Sequence, residues 1–188
     1  MNLGHILLAI SVLWIGSEII LNLSKRSQPK DEKADKSSLR VIWITTIISI
    51  TAGLRLRYQP MGYFGQGSRI FIIAGLILIV GGIIIRWAAI FSLKRQFTVD
   101  VSIINDHRMV TTGIYRFVRH PSYSGALLSF LGLGLCFSNY LVLLVIFVPT
   151  FFAFLYRIRV EEKALAGAFG QEYLDYSKAT KRLVPWIF

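Results

Sequence analysis

Four long stretches of this chain carry almost no charge, and nothing else in the sequence restricts its fold as strongly. Leu3 to Leu23 contains one acid, Glu18, and no Lys or Arg. Val41 to Leu54 is apolar or hydroxylic, and Ile70 to Ile85 and Ser122 to Tyr156 have no charged residue. Roughly 20 consecutive apolar residues are needed to cross a bilayer as a helix. With 54% hydrophobic residues, 16% charged residues and a mean hydropathy of +0.58, the chain is too apolar for an ordinary soluble domain. These runs therefore predict an all-α integral membrane protein.

The first run lacks a basic start and a small-residue cleavage site, so it reads as a permanent helix rather than a secretory signal. The net charge of +11 would suggest nucleic acid in a soluble protein. In a membrane protein it fits contact with anionic lipid and the excess of Lys and Arg on cytoplasmic loops, so no nucleic-acid partner is expected. Cys136, the single cysteine, lies in an apolar run and can form neither an internal disulfide nor a Cys-based zinc site.

The runs predict five transmembrane helices, at about 3–23, 39–56, 69–93, 122–137 and 140–156. The last two form a helical hairpin, because Ser138 and Asn139 interrupt a run that is long for one span and short for two. The first of that pair is too short to cross fully by itself, which predicts a shallow turn or a thinned bilayer. Leu165, Phe169 and Tyr173 recur every fourth residue and predict a C-terminal cytoplasmic amphipathic helix, weakened by Gly167 and Gly170. Five spans would place the basic segments 24–40, 86–119 and 157–182 on one side, eighteen Lys and Arg in all. Only three, in 55–69, lie on the other. That asymmetry predicts a cytoplasmic C-terminus.

Three polar groups bracket the hairpin. His107-Arg108-Met109-Val110 leads to Gly113-Ile114-Tyr115. Arg119-His120-Pro121-Ser122-Tyr123-Ser124-Gly125 stands where the fourth helix begins. Arg157-Ile158-Arg159-Val160-Glu161-Glu162 stands where the fifth ends. Each has an ordinary structural explanation. Proline suits a first helical turn, arginines snorkel to headgroups, and Arg157 and Glu161 are a routine i,i+4 pair. Folding back the hairpin, however, gathers imidazole, phenol, guanidinium and carboxylates in one volume at the membrane surface. Two carboxylates facing an Arg-His-Pro turn suit a cationic, amine-bearing ligand, and ionisable groups near the bilayer are functional candidates. Gly62, Gly65 and Gly67 lack the spacing of a nucleotide loop, and His5, His107 and His120 lack metal-ligand spacing, so no metal site is expected.

Residues 107–182 resemble the isoprenylcysteine carboxyl methyltransferase family of membrane enzymes. The resemblance rests on His-x-x-Val at 107–110, Gly-Ile-Tyr at 113–115 and Arg-His-Pro-Ser-Tyr-x-Gly at 119–125. It continues with Glu161-Glu162, Phe169-Gly170-x-Glu172-Tyr173-x-x-Tyr176 and Arg182-Leu183-x-Pro185. The Arg-His-Pro-x-Tyr turn alone is shared with phospholipid methyltransferases and sterol reductases; combined with the Glu pair it is more specific. The resemblance implies S-adenosyl-L-methionine as cofactor, held by His107, Arg108, Met109, Val110, Tyr115, His120, Pro121, Ser122 and Tyr123. Glu161 would bind its α-amino group. Arg157 would act as the catalytic and substrate-binding residue facing a lipophilic methyl acceptor that enters from the bilayer, most simply an isoprenylcysteine carboxylate. It also divides the chain into a three-helix acceptor-side scaffold at 1–93 and a cofactor-binding core at 94–188 with its hairpin at 122–157. Val99, Asp100 and Val101 depart from the polar contact expected there. An amine headgroup or small thiol as acceptor, an NADPH-dependent sterol-reductase-like activity and a non-catalytic membrane adaptor stay open as alternatives.

Overall fold

The computed structural model describes residues 3–24, 32–35, 37–65, 68–93, 101–103 and 109–188. Its elements run α1 (Leu3–Ser24), β1 (Glu32–Asp35), α2 (Ser37–Leu56), α3 (Ser68–Leu93), β2 (Val101–Ile103), a 3-10 turn (Gly113–Arg116), α4 (Pro121–Cys136), α5 (Tyr140–Phe169) and α6 (Gln171–Ala179). Among the described residues the regular structure is helical apart from one antiparallel pairing of β1 with β2, Glu32 opposite Ile103 and Asp35 opposite Val101. Neither strand is evident as a pattern in the polar segments that contain them.

Four helices, α1, α2, α3 and α5, are long and apolar enough to cross a membrane. Helix α4 has 16 residues, about 24 Å, against a hydrocarbon core of about 30 Å. The expected turn between α4 and α5 is present. Ser138 takes a positive φ of 51°, and Asn139 caps α5, its Oδ1 accepting from the Leu141 and Val142 amides at 2.9 and 3.3 Å. The Asn139 amide group donates to the Met61 carbonyl at 3.0 Å, so this turn lies beside the loop joining α2 to α3.

The fifth helix does not stop near Tyr156 as expected. Helix α5 has 30 residues and runs to Phe169, because Arg157 to Ala168 is rich in good helix formers, Gly167 is carried within the helix, and the chain turns only at Gly170 (φ 55°). Leu165 and Phe169 therefore belong to α5 and Tyr173 to α6. The expected single amphipathic helix is two helices meeting at that glycine.

Helices α3 and α4 pack antiparallel with their backbones nearly touching. A methyl group on Gly125 would stand 2.5 Å from the Gly82 carbonyl oxygen, and one on Gly132 would stand 2.5 Å from that of Gly75. In lipid, where apolar contact alone gives helices little reason to associate, such close van der Waals approach by small residues is what holds them. The buried Ser129 hydroxyl joins the same seam beside the Ile79 and Gly125 carbonyls, at 3.2 and 3.1 Å. Helix α2 packs antiparallel on α5, with Gly53 against Ile146 and Val142. Helix α1 is looser. Leu8, Leu13 and Leu23 are exposed along it, while Trp14 packs edge-on against Phe130 at 4.9 Å between ring centres.

Candidate functional site

The centre of the site lies where the N-terminus of α4 meets the second half of α5. Proline at the first position of α4 sets its entry, and His120 immediately precedes it. The His120 ring is buried and stacks on the Tyr123 ring at 5.6 Å and 14°. On α5, Arg157 and Glu161 are one turn apart, and the Tyr123 side chain reaches both. Its hydroxyl donates to Glu161 Oε2 at 2.7 Å and accepts from Arg157 Nε at 3.3 Å. The juxtaposition expected from folding back the hairpin is present.

The two adjacent acids are in different surroundings. Glu162 Oε1 accepts from Arg119 Nε at 3.2 Å, and Glu162 Oε2 accepts from Arg182 Nη2 at 2.8 Å. His120 Nε2 stands 3.5 Å from Glu162 Oε1 and, although buried, makes no hydrogen bond among the described residues. Glu162 thus closes a latch. The tail runs alongside the α4 turn, the Arg119 and His120 amides donating to the Lys181 and Arg182 carbonyls at 2.7 and 3.0 Å. The Ser124 hydroxyl donates to the Leu183 carbonyl at 2.6 Å. Glu161 has no such neutralisation. It faces the Tyr123 phenol and, at 3.8 Å, His120 Nδ1, with its side chain 29% exposed. No Arg or Lys forms an ion pair with it among the described residues.

Arg157 is 2% exposed. Its Nη1 donates to Ser38 Oγ at 2.7 Å and to the Asp35 carbonyl at 3.4 Å. The start of α2 is thereby part of the site, which sequence reading missed. Asp35 itself caps α2, its carboxylate accepting from the Ser37 amide (2.8 Å), the Ser37 hydroxyl (2.6 Å) and the Ser38 amide (3.2 Å). Partial burial works against its charge, but the hydrogen bonds from Ser37 and Ser38 outweigh this and hold the carboxyl at about 2. An Asp just before an apolar helical run was the available signal for that cap.

Among the other expected residues, Ser122 meets Arg86, whose Nη1 donates to the Ser122 hydroxyl at 3.1 Å and carbonyl at 3.3 Å. The same guanidinium makes a two-pronged pair with Glu18 of α1, Nη2 to Oε2 at 2.6 Å. The buried Tyr115 directs its hydroxyl to the Ala89 carbonyl at 3.3 Å, and its own carbonyl accepts from the Tyr176 hydroxyl at 2.7 Å. Burial pushes the Tyr115 phenol well above its usual range, so it stays protonated. Pro121 is buried, and Met109 and Val110 are half-buried in the irregular segment before the 3-10 turn. His107 and Arg108 lie outside the described residues.

Fold and site together define a multi-pass membrane protein with a cluster of carboxylate, guanidinium and aromatic side chains at one end of its helices. The chain belongs to the phospholipid methyltransferase family, whose family model matches residues 70–172. Protein-S-isoprenylcysteine O-methyltransferase A of Arabidopsis thaliana is 37% identical over 115 residues, 60% of this chain and 58% of that protein. The Saccharomyces cerevisiae protein-S-isoprenylcysteine O-methyltransferase is 31% identical over 126 residues, covering 66% of this chain and 53% of that protein. The solved structure of the eukaryotic intramembrane Ras methyltransferase ICMT aligns with a TM-score of 0.61 and 25% identity, over 82% of this chain and 55% of that one. The chain thus spans little more than half the length of these relatives.

Proposed function

We propose that this protein transfers a methyl group from S-adenosyl-L-methionine to the carboxylate of an isoprenylcysteine at the membrane interface. The observation that carries the reading is the single phenol of Tyr123 joining Glu161, which pairs with no Arg or Lys among the described residues, to Arg157, the buried guanidinium. The names of the relatives supply the acceptor class.

The residues present fit the cofactor. Glu161 suits its α-amino group, and the Tyr123 and Tyr115 rings suit a sulfonium cation. His107, Arg108, Met109 and Val110 hold its nucleoside in this reading, and His120, Pro121 and Ser122 close the turn around it. When bound, the cofactor supplies an electrophilic methyl on sulfur: a carboxylate oxygen forms the new C–O bond, the C–S bond breaks, and its electrons stay on sulfur as a neutral thioether. The acceptor carboxylate is ionised at neutral pH, so this chain need supply no base. Arg157 orients it by charge-assisted hydrogen bonding, and the buried turn excludes water. An amine acceptor would need a base for its released proton, and Glu162 is engaged by Arg119 and Arg182. On the same reading α4 makes a fifth crossing through a thinned bilayer. The site end, with eighteen of the 21 Lys and Arg, then faces the cytoplasm.

Glu161→Ala should weaken cofactor binding roughly tenfold or more in calorimetry, since a hydrogen-bonded charge partner is lost. Arg157→Ala should lower turnover more than cofactor affinity. The assay is radiolabelled methyl transfer to prenylcysteine analogues and to total membrane lipid. Normal binding and turnover in both variants would refute the site. Label appearing only in lipid headgroups would refute the acceptor.

A further inference from the structure

We propose that Ser38, in the first turn of α2, is a positioning residue that fixes the Arg157 guanidinium for the methyl acceptor; this rests on the carboxylate-methylating reading above. Ser38 is fully buried at the start of α2, a place with no evident call for a hydroxyl. Its Oγ accepts a short hydrogen bond from Arg157, 2.7 Å from Nη1. The Asp35 carbonyl lies on the same Nη1 and the Tyr123 hydroxyl on Nε, so two edges of the planar guanidinium are held. A guanidinium fixed in this way meets a carboxylate at a set angle, whereas one on a free four-carbon arm does not.

The Ser38 amide is in turn fixed by the Asp35 cap. The Asp35 backbone pairs with Val101, in the strand that precedes the expected nucleoside-binding stretch at 107–110. The connection between α1 and α2, whose sequence reads as a charged loop, therefore touches the acceptor side of the site directly. Among the described residues, its link toward the cofactor side is that backbone pairing with β2. Loss of the Ser38 hydroxyl should accordingly affect the acceptor and spare the cofactor.

The test compares wild type, Ser38→Ala and Ser38→Thr as full chains in lipid nanodiscs, with a prenylcysteine carboxylate as acceptor. Ser38→Ala should lower kcat/KM for the acceptor roughly tenfold, the effect of one hydrogen bond to a charged group. The S-adenosylmethionine dissociation constant should stay within about twofold, and Ser38→Thr should recover most of the loss. Inhibition by the acceptor's carboxamide, which carries no charge for Arg157 to hold, should be the same in wild type and Ser38→Ala. Unchanged acceptor kinetics in Ser38→Ala would overturn the proposal. So would parallel loss of cofactor binding and turnover that threonine does not restore, since that marks a merely structural residue. A wild-type protein that binds cofactor but leaves the prenylcysteine unmethylated would overturn the functional reading itself, and with it the acceptor role of Ser38.

Discussion

Helices α1 and α4 both lie against α3, and they are held there by opposite means. The α3–α4 seam is backbone against backbone, with Gly75 and Gly82 facing Gly132 and Gly125. Helix α1 presents Leu8, Leu13 and Leu23 outward and meets the bundle through a few apolar side chains, Trp14, Leu7 and Ile10 among them, and one charged group, Glu18. The same division continues toward the site. The hairpin carries Tyr123, Arg157 and Glu161 on closely packed helices. Among the described residues, the N-terminal arm, α1 and the strand after it, reaches the site through polar groups: Glu18 by way of Arg86 to Ser122, and Asp35 by its carbonyl to Arg157. Packing sets where Tyr123, Arg157 and Glu161 stand, and the polar attachments tie the arm to them. The two should fail differently.

The largest effect is expected in the seam. Gly125→Leu would drive a side chain into the Gly82 carbonyl and the Arg86 backbone, which cannot move aside as a flexible side chain would. The cost should exceed the roughly 1–3 kcal/mol of ordinary overpacking and appear as failure to recover folded protein in detergent. A Gly125→Leu protein that melts like wild type would mean the seam is not what holds α4.

Removing one partner of the Glu18–Arg86 pair leaves the other charge stranded in an apolar setting, typically costing about 3–5 kcal/mol. The side chains are 14% and 18% exposed, which puts Arg86→Met near the lower end. The double variant Glu18→Leu with Arg86→Met should recover much of the melting temperature, because no lone charge remains. It should not recover full activity if Arg86 also orients Ser122. Full recovery of both would reduce the pair to a simple fastener for α1 and sharpen the contrast with the seam.

The seam and the tethers were not equally legible in the sequence. Uncharged runs marked all five apolar helices, and Ser138-Asn139 marked the hairpin turn, because a helix in lipid declares itself by length and composition. The meeting of Tyr123 with Glu161 followed from the fold-back alone. What escaped the sequence was pairing between distant segments. Glu18 stood out as the lone acid in its span, yet nothing local named Arg86, 68 positions away, as its partner. Glu161 and Glu162 read as one motif, but only the tail's return past Arg119 separates the latch acid from the free one. Arg157 read as facing the acceptor, and its contacts with Ser38 and Asp35 depend on a strand pairing between two segments that look like charged loops.

The smallest effect tests whether the arm's attachment is electrostatic down to its last residue. Asp35 is held at about 2, below the ordinary carboxylate value of 3.8, by its hydrogen bonds to the start of α2. A depressed folded-state pKa adds stability that is fully present above the unfolded value and disappears as pH falls through the folded one. Wild type should therefore lose about 1 kcal/mol, after allowing for solvent screening at this partly exposed site, between roughly pH 4 and pH 2. Asp35→Asn should be less stable than wild type at neutral pH, and the gap should narrow across that window, measured by thermal melts in a fixed detergent. Because Asp35 caps the turn that carries Ser38, acid should loosen the arm while the glycine seam, which has no proton to gain, stays intact. Solvent exchange at the Ser37 and Ser38 amides should then rise below pH 4 while exchange at Gly125 and Gly132 does not. Equal acid sensitivity in both places would show that arm and seam melt as one unit.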